Sequence, residues 1–191
     1  MVTGKPPTEL LHFVGGNQMT ELYVGEGKGK TTASIGLAIR AAGHRIPVYF
    51  YQFMKNGNSG EIEILKSIPG IEVKYPPVFY GFAKNMTKAQ KEEMRGYYTD
   101  MLESVSQIIK TYREDFVVII LDEVIHACNH QLLSETQLCK LLEHCSPNIE
   151  IILTGRNPSQ VLLNLADYVS EVKKVKHPFD KGVTARKGIE F

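Results

Sequence analysis

The spacing of hydrophobic positions changes several times along the chain, and each change marks a predicted element. Leu22-Tyr23-Val24 reads as a short strand, and Lys30 to Ala42 as a helix ended by Gly43. The aromatic and β-branched run Val48 to Phe53 predicts a second strand. Glu61 to Ser67 predicts a short helix, followed by a strand at Ile71-Glu72-Val73. Thr87-Lys88-Ala89-Gln90 has capping-box spacing. Beyond it Met94, Tyr98, Met101, Leu102, Val105, Ile108, Ile109 and Tyr112 recur at three- and four-residue steps, the signature of a long amphipathic helix. Val117 to Leu121 and Ile149 to Leu153 are unbroken apolar runs, as expected of strands buried on both faces. Ser134-Glu135-Thr136-Gln137 caps a helix between them. Asn157-Pro158 predicts an N-cap with proline at the first helical position, opening a helix to about Ala166, and Val169 to Val172 a last short strand. Strands alternating with helices predict an α/β fold, a mostly parallel sheet with helices on both faces.

The first 18 residues do not join this alternation. Gly4-Lys5-Pro6-Pro7 and Gly15-Gly16-Asn17-Gln18 are rich in breakers and flank the apolar patch Leu10 to Val14, so residues 1–18 are expected to form an N-terminal arm or extension. Residues 19–191 are then one domain, in keeping with a 191-residue chain and about 150 residues per domain. Hydrophobic residues make up 43% and charged residues 23%, which excludes wholesale disorder. The 22 basic and 21 acidic residues leave a net charge of +1, which excludes a chain that coats nucleic acid. Three cysteines without a CxxC pair point to a reducing compartment, hence the cytoplasm. No apolar run approaches the ~20 residues of a membrane span, and no secretory signal is expected.

Candidate chemistry concentrates in two places. Gly25-Glu26-Gly27-Lys28-Gly29-Lys30-Thr31-Thr32 stands between a predicted strand and a predicted helix. Glycines let such a loop turn its N–H groups toward phosphate, and the helix that follows adds its positive dipole end. Lys30 can reach phosphate oxygens and the Thr31 hydroxyl can ligate Mg²⁺. Counted from Gly25 the spacing is GxxxGKT, one residue shorter than the usual phosphate loop. The second place is Val117 to Leu121 followed by Asp122-Glu123, an apolar strand that delivers two carboxylates to the sheet's C-terminal edge. There one carboxylate can hold Mg²⁺, directly or through water, opposite Thr31. Together they predict a nucleoside triphosphate site with Mg²⁺. His126, Cys128 and His130, with His144 and Cys145 farther on, complete no four-ligand zinc spacing and read as ordinary buried or partly buried residues. Gly155-Arg156 could meet a phosphate or a carboxylate, or cap a helix.

Several strings carry a family resemblance: GEGKGKTTAS in the loop, RAAGH (Arg40 to His44), YQFMKNG (Tyr51 to Gly57) with Gly60-Glu61, IILDE, LTGRNP (Leu153 to Pro158), LADYVSEV (Leu165 to Val172) and, most specific, VKHPFDKGVTARKGIEF (Val175 to Phe191). From about Leu22 to the C-terminus the chain resembles the ATP:corrinoid adenosyltransferases, whose phosphate loop has the same short form. The resemblance implies a RecA-like P-loop NTPase fold, a homodimer, and ATP and a corrinoid such as cobalamin as substrates. The reaction it implies moves the 5′-deoxyadenosyl group of ATP to Co(I) and releases triphosphate. A reductase, such as a flavoprotein, would supply the Co(I). The implied site comprises Gly25 to Thr32, Arg40 and Arg156 around ATP, Lys28 and Lys30 on the leaving group, and Thr31, Glu123 and Asp122 around Mg²⁺. Phe82, in Val78-Phe79-Tyr80-Gly81-Phe82-Ala83-Lys84, matches the aromatic that displaces the lower ligand of cobalt. Lys84 stands where the family carries tryptophan, and this chain has no tryptophan. Two other readings share the loop: a P-loop ATPase or phosphotransferase, and a non-catalytic ATP- or corrinoid-binding relative.

Overall fold

The computed structural model describes residues 19–113 and 116–189. The arm expected over residues 1–18 lies outside the described residues, as do Glu190 and Phe191 of the C-terminal string. Six strands form one sheet: β1 (Met19–Val24), β2 (Val48–Gln52), β3 (Ile71–Lys74), β4 (Val117–Asp122), β5 (Ile149–Thr154) and β6 (Tyr168–Glu171). Their order is β3-β2-β4-β5-β1-β6, and every pairing is parallel. The helices are α1 (Lys30–Gly43), α2 (Glu61–Ser67), α3 (Lys88–Thr111), α4 (Val124–Asn129), α5 (Glu135–Glu143) and α6 (Gln160–Leu165).

Strand alternation divides the core in two. Val118 and Ile120 of β4 face Ala38 of α1 and Ile62 and Leu65 of α2. Val117, Ile119 and Leu121 face Met94, Tyr98 and Val105 of α3 and Leu138 of α5. All six residues of β4 are buried, as its unbroken apolar run requires of a central parallel strand. Thr87 and Gln90 form the expected capping box: Thr87 Oγ1 accepts from Gln90 N at 3.2 Å and Gln90 Oε1 from Thr87 N at 2.9 Å.

The structure corrects the start of α6. Asn157 is not its N-cap: it lies in the left-handed region at φ +48°. The cap is Ser159, whose Oγ accepts from Leu162 N at 3.2 Å. Asn129 Nδ2 donates to the carbonyls of Arg156 at 2.8 Å and Asn157 at 3.3 Å, which ties this turn to the end of α4 and delays the helix. The six residues of α4 are too few for periodicity to announce.

Two consequences of this topology place the site. Parallel strands bring every strand-to-helix loop to one sheet edge. The order also inserts β5 between β1 and β4, so the glycine loop and the acidic pair flank the end of β5.

Candidate active site

The glycine loop is held by the chain that leaves β6. Gly25 and Gly29 have φ +108° and +121°, a region that side chains disfavour. Gly27 N donates to Val172 O at 2.7 Å, and a Cβ on Gly27 would stand 2.7 Å from both Val172 O and Lys173 O. Only glycine permits that approach. Gly29 is the N-cap of α1 and brings no side chain to cap it, so the helix presents its first N–H groups to the cleft. Lys30 is 6% exposed, and its Nζ donates to Gly25 O at 2.7 Å and Gly27 O at 2.9 Å. Burial, then the nearby Arg156 cation, lowers its pKa.

The acidic pair is organised through two threonines. Asp122 is fully buried, and its Oδ1 accepts from Thr31 Oγ1 and from Thr154 Oγ1, both at 2.8 Å. Thr154 Oγ1 in turn accepts from Glu123 N at 2.8 Å. One side chain on the intervening strand thus ties the two carboxylate residues together. Asp122 Oδ2 has no hydrogen-bond partner, and Lys55 Nζ lies 3.8 Å from it. Burial pushes the Asp122 carboxyl up, against the pull of Lys55 and both threonine hydroxyls. Glu123 has φ +61° and its carboxylate bonds His126 Nδ1. Burial would raise its pKa, but His126, Lys55 and Lys30 together hold it below the usual carboxylate value.

Between these parts lies a cleft of about 690 Å³. Glu26, Gly27, Lys28, Gly29, Lys30, Thr31 and Thr32 form its loop side, with Glu123 and Arg156 nearby. Asp122 lies beneath, bonded to Thr31. Arg156 Nη1 donates to Glu26 Oε2 at 2.6 Å, so the acid in the phosphate loop is neutralised by the arginine after β5. The cleft's outer side is C-terminal: His177, Gly188 and Ile189.

Two expected residues stand apart from the cleft. Arg40 is in the last turn of α1, ten residues and roughly 15 Å along the helix from Lys30. Phe82 is 75% exposed, in the segment from β3 to α3, and is not part of the cleft wall. That segment leaves the same sheet edge, anchored by buried Ala83 and Met86. Conversely, the motifs did not single out Lys55, Glu61, Thr154 or His177. All four fall inside the strings that carried the resemblance, yet none sits in a spacing with a chemistry of its own. His126 and His130 stack at 5.9 Å with 10° between their rings. Among the described residues no group of three or more His, Cys, Asp or Glu side chains is placed to hold a metal. Nor is any helix among them long and apolar enough to cross a membrane.

The family model for ATP:corrinoid adenosyltransferase BtuR/CobO/CobP matches residues 17–191. A corrinoid adenosyltransferase of Sinorhizobium sp is 30% identical over 176 residues, covering 87% of this chain and 77% of its own. One from Escherichia coli (strain K12) is 32% identical over 173 residues, covering 89% and 84%. The corrinoid adenosyltransferase CobA of Salmonella typhimurium matches to the same extent, 32% over 173 residues. Among solved structures, the genome packaging NTPase B204 of Sulfolobus turreted icosahedral virus 2, in complex with AMP, is 13% identical at a TM-score of 0.48, covering 81% of this chain and 74% of its own.

Proposed function

Because the chain belongs to the ATP:corrinoid adenosyltransferase family, we propose that it transfers the 5′-deoxyadenosyl group of ATP to the Co(I) of a corrinoid, releasing triphosphate. The observation that carries this reading is the convergence of the uncapped α1 N-terminus, Lys28, Lys30 and Arg156 on one cleft beside the acidic pair.

The chemistry suits such a site. Co(I) in the corrinoid is itself the nucleophile. Its electron pair forms the bond to the ribose 5′ carbon, the bond from that carbon to the triphosphate oxygen breaks, and triphosphate leaves with that pair. Cobalt passes from Co(I) to Co(III), and no protein base has a proton to remove. The protein's task is to align the reactants and to neutralise charge that grows on the leaving oxygens. The loop N–H groups and Lys30 meet phosphate from one side, Lys28 adds charge at the rim, and Arg156 offsets the Glu26 carboxylate there. To engage phosphate, Lys30 exchanges the carbonyls of Gly25 and Gly27 for it, a change within one turn of chain.

Mg²⁺ fits the donor set. Thr31 supplies a hydroxyl, Asp122 and Glu123 supply carboxylates, and the orphaned Oδ2 of buried Asp122 lacks the partner that such an atom requires. Thr31 and Glu123 would hold the ion, with Asp122 orienting Thr31; when bound it would supply charge neutralisation of triphosphate.

The same reading extends to partners. The protein acts as a homodimer in the cytoplasm, and a reductase such as a flavoprotein supplies the electron for Co(I). Phe82, exposed at the cleft's edge of the sheet, displaces the lower cobalt ligand of the corrinoid. Lys84 cannot fill a tryptophan's apolar space, because its charged end seeks water and only its stem packs. The test is spectroscopic: chemically reduced cobalamin and ATP are mixed with the protein and adenosylcobalamin is followed by its absorbance. Its formation is expected. Cobalamin that merely reoxidises while ATP stays intact would overturn the proposal.

A further inference from the structure

The cleft is lined by a cation, Lys55, that the loop motif does not account for. Lys55 lies three residues beyond β2, and its position is set by the core. Phe53 N donates to Asp122 O at 2.9 Å, which fastens the end of β2 to the end of β4. Met54 follows at φ +55°, a left-handed conformation that costs energy for a side chain of this size, and its N–H donates to Tyr98 Oη at 2.8 Å. Tyr98 is fully buried, and its ring packs edge-on against Phe53 with centroids 5.1 Å apart. Backbone strain held in place by a buried hydroxyl directs Lys55 to the cleft that the glycine loop also lines.

Among the described residues its ammonium meets only loose partners. Lys55 Nζ is 3.8 Å from Asp122 Oδ2 and 4.0 Å from Glu61 Oε1, beyond the 2.7–2.9 Å of a charge-assisted hydrogen bond. Asp122 Oδ2 is the buried oxygen without a hydrogen bond, so Lys55 lies near it without satisfying it. A divalent cation held at Thr31 and Glu123, next to Asp122, would weaken that pairing, because the ion and the ammonium would repel across one carboxylate. Glu61 stays within its reach, and a metal-bound triphosphate in the same cleft would add several oxygens that can take the ammonium over from Asp122.

We infer that Lys55 is an exchanging cation of the triphosphate site: it leans on Asp122 when the metal is absent and moves onto the triphosphate when Mg²⁺ is bound. This rests on the adenosyltransferase reading of the cleft and adds to it a residue from the chain beyond β2. No covalent step is involved. Lys55 donates hydrogen bonds to the leaving group and shares its developing charge.

The test is calorimetric titration of inorganic triphosphate into the wild type, Lys55→Met and Lys55→Arg, with millimolar Mg²⁺ and separately with a chelator. With Mg²⁺, Lys55→Met is expected to bind roughly tenfold to a hundredfold more weakly, the effect of one charge-assisted hydrogen bond. With chelator, it should stay within about threefold of wild type, because Lys55 is then engaged elsewhere. Lys55→Arg should recover most of the Mg²⁺-dependent binding and keeps the experiment decisive if the methionine variant folds poorly. A purely structural lysine would lower the melting temperature and leave the Mg²⁺-dependent difference at zero. Unchanged binding of Lys55→Met with Mg²⁺, or an equal loss in both conditions, would overturn the exchange. A wild type that binds triphosphate in neither condition would instead contradict the adenosyltransferase reading itself.

Discussion

Lys30 is buried against the carbonyls of its own loop, so a triphosphate has to take its ammonium over from Gly25 and Gly27. Lys30→Ala removes a preorganised donor and should cost roughly 2–4 kcal/mol of transition-state stabilisation, a loss of about thirtyfold to several hundredfold in turnover. The assay uses chemically prepared Co(I), and a variant within twofold of wild type would remove Lys30 from the mechanism. A second residue-scale prediction concerns stability. On β5, burial and the hydrogen-bonding Glu21 carboxylate push Glu150 up to about 8. A carboxyl with a raised folded-state pKa keeps its proton where the unfolded chain has lost it, so between pH 4.5 and about 8 the folded state holds the extra proton. Stability therefore falls as pH rises through that window. Glu150→Gln, which removes this penalty, should raise the melting temperature at pH 8 and change it little at pH 4. After allowance for solvent screening the gain is on the order of 1 kcal/mol. A gain that is equal at both pH values would contradict the assignment.

At the scale of elements, the phosphate loop depends on its contact with the chain beyond β6. Gly27→Ala would drive a Cβ to 2.7 Å from two carbonyl oxygens, Val172 O and Lys173 O. The loop must then shift away from its support. ATP affinity should fall at least tenfold in equilibrium titration, while the melting temperature changes by only a few degrees. Unchanged affinity would show that the loop does not need this support. Phe82→Ala tests the segment between β3 and α3. It should slow reductase-coupled turnover and nearly spare the reaction with prereduced cobalamin, because displacement of the lower ligand is bypassed in the second case. Equal losses in both assays would make Phe82 a general substrate contact. Much of this level was legible in the chain. The buried runs of β4 and β5, the capping box at Thr87 and the GKTT turn each follow from local physics. Other features depend on contacts between distant segments and have no local signature. Thr154 acquires its role only because β5 inserts between β1 and β4. Asn157 loses its expected cap because Asn129, 28 residues away, holds its carbonyl. Lys55 is placed by Tyr98, 44 residues from the Met54 backbone it bonds.

For the molecule as a whole, one sheet edge gathers the loops after β1, β2, β4 and β5, and the chain then returns across them. The C-terminal string that most sharply marked the resemblance is the part that lines the outer cleft, through His177, Gly188 and Ile189. Its chemistry was not legible in the sequence, because its residues acquire a role only when the chain folds back over the glycine loop. Ending the chain after Lys174 keeps the carbonyls that support Gly27 and removes that outer wall. The shortened protein should retain its far-UV circular dichroism and bind ATP at least tenfold more weakly; full affinity would leave the C-terminal segment without a part in the site. Whether this phosphate loop serves transfer of an adenosyl group and not of a phosphoryl group is decided by phosphorus NMR of the products formed from ATP and chemically reduced cobalamin. Free triphosphate in one-to-one ratio with adenosylcobalamin is expected. ADP with inorganic phosphate, and no triphosphate, would contradict it.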